Sequence, residues 1–200
     1  MTRAKIESVP AEGLRERKRR ETAKRIKEAG IRLFVERGYD ATTIDDIAAA
    51  ADISRRTFFH YYQSKDDILL SMQNALGDIL SAQLVDEPVA KKPLHAVRDA
   101  AIRVAEPVPA DELLKLDRLM RSSEAVQARK VASYVRHEET LFAALCEKWP
   151  EPDRETALRM IAMVSIGAVR LSLDTLNRED GKRSLADILA EEFRALEGQL

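Results

Sequence analysis

The chain has 200 residues, of which 45% are hydrophobic and 5% aromatic, with seven Gly and seven Pro. Ala, Leu, Glu, Arg and Lys dominate, a helix-favouring mixture with enough apolar material for one good core or a small core plus a larger one. A single Cys146 excludes an internal disulfide, and the most apolar stretch, 157–176, carries Arg159, Arg170 and Asp174, which argues against a membrane span. No apolar signal segment opens the sequence, so the expectation is a soluble, cytoplasmic protein with no membrane partner. The net charge of −1 hides an asymmetry. Residues 1–65 hold 15 Lys/Arg against 10 Asp/Glu, whereas residues 66–200 hold 18 against 24. A basic front and an acidic back point to a polyanion met by the front alone.

In chain order, residues 1–13 lack periodicity and contain Pro10 and Gly13, which predicts a mobile arm. From Leu14 the pattern is helical. Ile26, Ala29, Leu33 and Phe34 share a face, and Gly38 is placed to stop the helix. Its first half is basic, with eight Lys/Arg and two Glu between Arg15 and Lys27. A second helix opens at Thr43, an N-cap with Asp46 as capping-box partner; Ile44, Ile47, Ala48 and Ala51 are its apolar face. Asp52 and Ile53 make a tight turn. Ser54 caps a third helix over 55–62, and Ser64 with Asp67 opens a fourth running to about Leu84. Ile44, Ile47, Ala48, Ile53 and Phe58 are predicted to close a core with Leu33 and Phe34. Three short helices with one short turn between the second and third form a helix-turn-helix layout. Further helices are predicted near 91–105, 110–121, 122–148, 152–177 and 183–197, with Pro88, Pro93, Pro107, Pro109, Pro150 and Pro152 as break signals. The fold class is all-α: an arm over 1–13, a DNA-binding domain over 14–65, and a helical domain over 66–200.

A recognition helix must offer donors to base edges from its first turns. Arg55 and Arg56 stand there, and Arg grips guanine O6 and N7 with two bonds. Thr57 suits a phosphate or a thymine methyl, while His60 and Tyr61 lie one turn on. Amides at the helix N-termini, including the one that Ser54 caps, attract phosphate. The run from Thr42-Thr43-Ile44-Asp45-Asp46-Ile47-Ala48, through Ser54-Arg55-Arg56-Thr57-Phe58-Phe59-His60-Tyr61-Tyr62, to Ser64-Lys65-Asp66-Asp67-Ile68-Leu69 closely resembles the DNA-binding domain of the tetracycline-repressor-like (TetR) family. The resemblance covers about residues 15–70. In that family the turn usually has Gly where this chain has Asp52; Asp tolerates φ > 0 better than most residues, so the turn is expected to survive. The resemblance implies that Phe59 takes the place of a phosphate-bonding Tyr, without its hydroxyl, and that Thr43 and Lys65 touch the DNA backbone.

One helix-turn-helix makes few contacts, so a homodimer on a palindromic double-stranded operator is expected. Ala157–Leu173 is apolar on nearly every side, and a helix of that kind is buried all round. The predicted dimer interface comprises Leu158, Ile161, Ser165 and Ala168 with Leu185, Ile188 and Leu189 of the last helix. The resemblance further implies a small-molecule pocket whose ligand weakens DNA binding. Its expected lining is Leu116, Met120, Tyr134, His137, Phe142, Met163 and Arg170. No enzyme signature is visible. Cys146 and His137 are nine residues apart on one helix, about 13 Å of rise. His60, His95 and His137 have no metal-ligand spacing, so no catalytic residue, metal or cofactor is expected. The expectation is a ligand-released repressor of unknown effector. The alternatives are a nonspecific architectural DNA-binding protein and a protein-interaction module.

Overall fold

The computed structural model describes residues 13–73, 75–121 and 123–198. The expected arm lies outside them except for Gly13. All the elements they form are helical, and the chain divides into two units, one ending at Ile68 and the other beginning at Leu69. The division falls three residues beyond the expected boundary, inside a helix that is continuous across it.

In the first unit, α1 (Leu14–Arg37) buries Ile26, Ala29, Leu33 and Phe34 on one face, with the spacing read from sequence. Gly38 ends it at φ 88°. The connector that follows is sewn down from two sides. The buried Thr42 hydroxyl donates to Gly38 O at 2.8 Å. The Lys65 ammonium donates to Tyr39 O at 2.7 Å and Thr42 O at 3.2 Å, and sits 4.1 Å from the Tyr39 ring centroid. Helix α2 (Ile44–Ala50) starts with a complete capping box, in which Thr43 Oγ1 accepts from Asp46 N and the Asp46 carboxylate accepts from Thr43 N. The bonds from Thr43 hold the Asp46 carboxyl below its ordinary range.

Helix α2 closes through the bonds of a Schellman motif. Ile53 N donates to Ala48 O at 3.0 Å and Asp52 N to Ala49 O at 3.1 Å, with Asp52 left-handed at φ 51°. Helix α3 (Arg55–Tyr61) follows at once, with Ser54 Oγ accepting from Thr57 N at 3.0 Å. Ile47, Ala48 and Phe58 are buried, while Ile44 and Ile53 are half-buried. Helix α4 (Lys65–Gln73) begins at the Ser64–Asp67 cap. Gly30 of α1 faces Ile68 of α4, where a Cβ would stand 2.8 Å from the Ile68 side chain.

The single fourth helix expected through Leu84 is two helices: α4 and α5 (Leu76–Leu84). Asn74, itself outside the described residues, and Gly77 are weak helix formers near the break. Gly77 has a second use, because a Cβ there would lie 3.1 Å from the His137 backbone, so its absence lets α5 close on α8.

The second unit continues with α6 (Pro93–Ala105), α7 (Ala110–Arg121), α8 (Glu124–Lys148), a 3-10 turn (Pro152–Arg154), α9 (Glu155–Arg178) and α10 (Leu185–Glu197). Helix α8 packs on α5 and α9, and α10 on α6 and α9, around a core of Leu, Ala and Val with Trp149 and Phe193. The buried Trp149 donates from Nε1 to Val89 O at 2.8 Å, pinning the α5–α6 connector. The segment Pro152–Arg178 is long and apolar enough to cross a membrane by length and composition, but Leu158, Ala162, Ile166 and Val169 are buried in this unit. It is not buried all round, as its composition suggested. Met160, Met163 and Leu171 are 59%, 51% and 47% exposed, because apolar residues outnumber those one unit can cover.

Glu87 is a buried carboxylate in the same connector, bonded to Lys91 at 2.6 Å and to Arg103. The Lys91 bond is the largest effect that lowers its pKa, and Arg103 adds to it against the cost of burial.

Two predictions follow from these contacts. Asp52→Gly relieves left-handed strain at the turn and raises stability by about 0.5–1 kcal/mol, whereas Asp52→Val lowers it by about 1–2 kcal/mol, both read by urea unfolding of the first unit's helices. Glu87→Gln costs about 1–2 kcal/mol at pH 7. A depressed folded pKa contributes stability that is fully present above the ordinary Glu value of about 4.3 and is lost as pH falls through the lower folded value. The gap between wild type and variant therefore narrows in unfolding curves taken below pH 4.

Candidate nucleic-acid interface and effector cavity

Burial of Phe58 fixes the rotation of α3. With that ring 0% exposed, Arg55, Arg56, Phe59 and His60 face solvent, and Thr57 and Tyr61 are half-buried. The Ser54 and Thr57 hydroxyls are 2.8 Å apart, so both also serve the helix start. Arg56 and His60 stand one turn apart on the exposed face. Arg56 has no ion-pair partner among the described residues.

Arg55 is arranged differently. Its Nη1 donates to Asp45 Oδ2 at 2.8 Å, and its guanidinium lies 5.5 Å from the Phe59 ring centroid. Sequence spacing does not pair Asp45 with Arg55, since residues ten apart meet only once α2 and α3 are folded against each other. The same contact gives Phe59 a task that needs no hydroxyl. Lys65 spends two N–H groups on the α1–α2 connector. Thr43 is exposed, with its side chain in the capping box. Tyr62 donates to Ala23 O at 3.2 Å and packs on Phe58, away from the exposed face. On α1 the basic residues from Arg15 to Arg20 are exposed, and Arg17 and Lys24 make loose i,i+4 pairs with Glu21 and Glu28 at 3.7 Å.

The second unit has a half-open cavity of about 170 Å³ walled by α5 to α10. Leu116 and Met120 line it as expected from sequence. Tyr134, His137, Phe142, Met163 and Arg170 are not in its wall. Tyr134 and His137 are buried side by side on α8, with ring centroids 6.3 Å apart. Phe142 lies under the Arg159 guanidinium at 4.3 Å, and Met163 is on the open face of α9. Arg170 is exposed, 5.8 Å from the Tyr134 ring centroid, and not sunk among apolar residues. The wall residues missed from sequence include Leu113 and Asp117, which share the i,i+3,i+4,i+7 face of α7 with Leu116 and Met120. Lys130 of α8 completes the polar part of the wall. Burial pushes the Asp117 carboxyl up, but hydrogen bonds from Lys130 and Arg121 outweigh this and hold it below its usual range.

The seven residues expected at a dimer interface also have defined places. Leu158, Ser165, Leu185, Ile188 and Leu189 are buried inside this unit, and Ile161 and Ala168 are half-buried. They complete the unit's own core. The apolar surface that α9 leaves uncovered is the opposite face, with Met160, Met163 and Leu171.

Residues 26–72 match the model for bacterial regulatory proteins of the tetR family, and residues 91–200 match that of the MftR C-terminal domain. The transcriptional regulator TcmR of Streptomyces glaucescens is 32% identical over 138 residues, which are 66% of this chain; the chain spans 61% of the length of TcmR. Among solved structures, the Thermus thermophilus repressor FadR in complex with lauroyl-CoA superposes with a TM-score of 0.56 at 27% identity, covering 89% of this chain and 95% of that one. The fatty acid degradation regulator FadR of Bacillus halodurans superposes at 0.62, covering 90% and 96%; at 19% identity this likeness is one of fold. The second family model alone covers more than half of the sequence, and the chain belongs to the TetR family of bacterial transcriptional regulators.

Proposed function

We propose that the protein is a dimeric repressor that binds a palindromic operator and leaves it when a small molecule fills the cavity. The observation that carries the DNA reading is the outward face of α3, where two guanidinium groups stand in the first turn of a helix locked in rotation by Phe58. Arg55 and Arg56 read guanine edges in the major groove, and Thr57, His60 and Tyr61 extend the contact. Thr43, Ser54 and Lys65 set the register on the backbone, Phe59 supports Arg55 by packing, and the α1 basic residues add sequence-independent attraction.

Dimerisation supplies the second half-site. The exposed apolar face of α9, with Met160, Met163 and Leu171 around Gly167, suits a helix of a second copy. A Cβ at Gly167 would meet nothing within 4 Å, so a partner has room to approach. The FadR repressor with lauroyl-CoA supports control by a ligand, and the cavity is where this chain has room for one. Such a ligand acts by binding the released state better than the DNA-bound state. The protein acts in the cytoplasm, where its operator is.

Selection from a random DNA pool by the purified protein is expected to return a two-fold symmetric consensus; no preference among oligonucleotides would sink the reading in favour of nonspecific binding. Arg56→Ala is expected to cost about 1–3 kcal/mol on the selected site and to relax one base position, measured by fluorescence anisotropy. Met160→Glu with Met163→Glu is expected to give monomers in sedimentation and to remove cooperative binding to the two half-sites.

A further inference from the structure

The cavity's size and the bonding of its two polar wall residues define an effector class. This inference rests on the reading of the cavity as the effector site. An apolar cavity of roughly 150 Å³ holds one benzene. At about 170 Å³, the cavity here has space for one ring and a small substituent. Its surface is made by side chains such as Leu76, Leu80, Val104, Leu113, Val169 and Leu189. A lauroyl chain has twice benzene's carbon count before its nucleotide is added, so it does not fit this space.

Among the described residues, Asp117 and Lys130 give the wall its polar side chains. Both Asp117 oxygens are already taken, Oδ1 by Lys130 Nζ at 2.8 Å and Oδ2 by Arg121 Nε at 2.5 Å. Both oxygens are thus engaged before a ligand arrives, with part of the carboxylate's acceptor capacity used inside the protein. An ammonium has three N–H groups, and Lys130 spends one on Asp117. The Lys130 side chain is 12% exposed, so its remaining N–H groups have little access to water. Each wall charge also has a partner already, since Asp117 bridges Lys130 and Arg121. An ionic ligand would give up its hydration without finding a free counterion.

We propose that the cavity binds a neutral, single-ring compound whose one polar group is a hydrogen-bond acceptor, taken by Lys130. A ketone, ester, ether or phenol oxygen has the required chemistry.

The test is titration calorimetry on the protein without DNA, using acetophenone, toluene, benzoate, benzylamine and lauroyl-CoA. Acetophenone is expected to bind about tenfold or more tighter than toluene, as one hydrogen bond from a charged donor predicts. Benzoate, benzylamine and lauroyl-CoA are expected to bind more weakly than toluene. Lys130→Met should bring acetophenone to the toluene level and leave toluene unchanged. If that variant does not fold, Lys130→Gln, which keeps an N–H donor without the charge, should retain the preference for acetophenone. Tighter binding of benzoate or lauroyl-CoA than of acetophenone, equal binding of acetophenone and toluene, or no binding by any ring compound would overturn the proposal. Because binding is read directly, these failures are separate from failure of the regulator reading. That reading fails if DNA shows no sequence preference, or if a bound probe leaves the DNA complex unchanged.

Discussion

Phe58 is the residue of α3 that is fully buried, and its burial decides what the protein can present to DNA. A seven-residue helix is far too short to persist alone in water. Fully burying a Phe ring contributes about 1.5–3 kcal/mol, and the Ser54 cap adds about 1 kcal/mol. These anchors stabilise α3, and they also fix its rotation. With Phe58 turned inward, the 3.6-residue period sends Arg55, Arg56, Phe59 and His60 outward without any further contact. The Asp52 turn sets the angle at which this face leaves α2. Every statement about bases or phosphates depends on those few residues.

Much of the first unit was legible because its signals are local. Thr43 with Asp46 and Ser64 with Asp67 are caps whose donors and acceptors lie three residues apart, so sequence spacing contains the geometry. The left-handed Asp52 was expected through the resemblance to a family that usually has Gly at that turn position. What escaped was non-local. The Asp45–Arg55 bond joins the first turns of two helices, and the Lys65 strap to Tyr39 and Thr42 reaches back more than twenty residues. Neither leaves a periodic mark in the sequence.

The second unit was legible as helices but not as surfaces. Prolines marked the breaks between α6 and α7 and between α8 and α9, and the five predicted segments from 91 to 197 correspond to α6 to α10. Which face of each helix turns inward is a tertiary fact. Helix α9 is apolar on several faces, so its pattern could not separate the face with Leu158, Ala162, Ile166 and Val169 from the face with Met160, Met163 and Leu171. Five of the seven dimer residues read from sequence are buried inside this unit, and Ile161 and Ala168 are half-buried. The cavity failed for a related reason. Apart from Leu116 and Met120, the expected residues lie elsewhere, and most of the lining comes from ordinary Leu, Val and Ala left around a gap between helices. The break between α4 and α5 was missed because Ser71 to Leu80 keeps an apolar rhythm across Asn74 and Gly77.

The Asp45–Arg55–Phe59 arrangement shows how a weak interaction serves recognition. Arg55 and Asp45 are 56% and 67% exposed, and a pair so exposed contributes about 0–1 kcal/mol to folding. Its value lies elsewhere. A free Arg side chain loses rotamer freedom when it binds, at a cost of about 0.5–1.5 kcal/mol. Asp45 holds one edge of the guanidinium and Phe59 lies beside it, so part of that ordering is complete before DNA arrives. The donors that Asp45 does not use remain available to a guanine edge. Arg56 has no such support, so it keeps its full freedom and its full ordering cost. Two adjacent arginines of identical chemistry thus divide the work. On the proposed reading, Arg55 is the pre-ordered reader that tolerates little change in base position, while Arg56 adjusts to the base it meets.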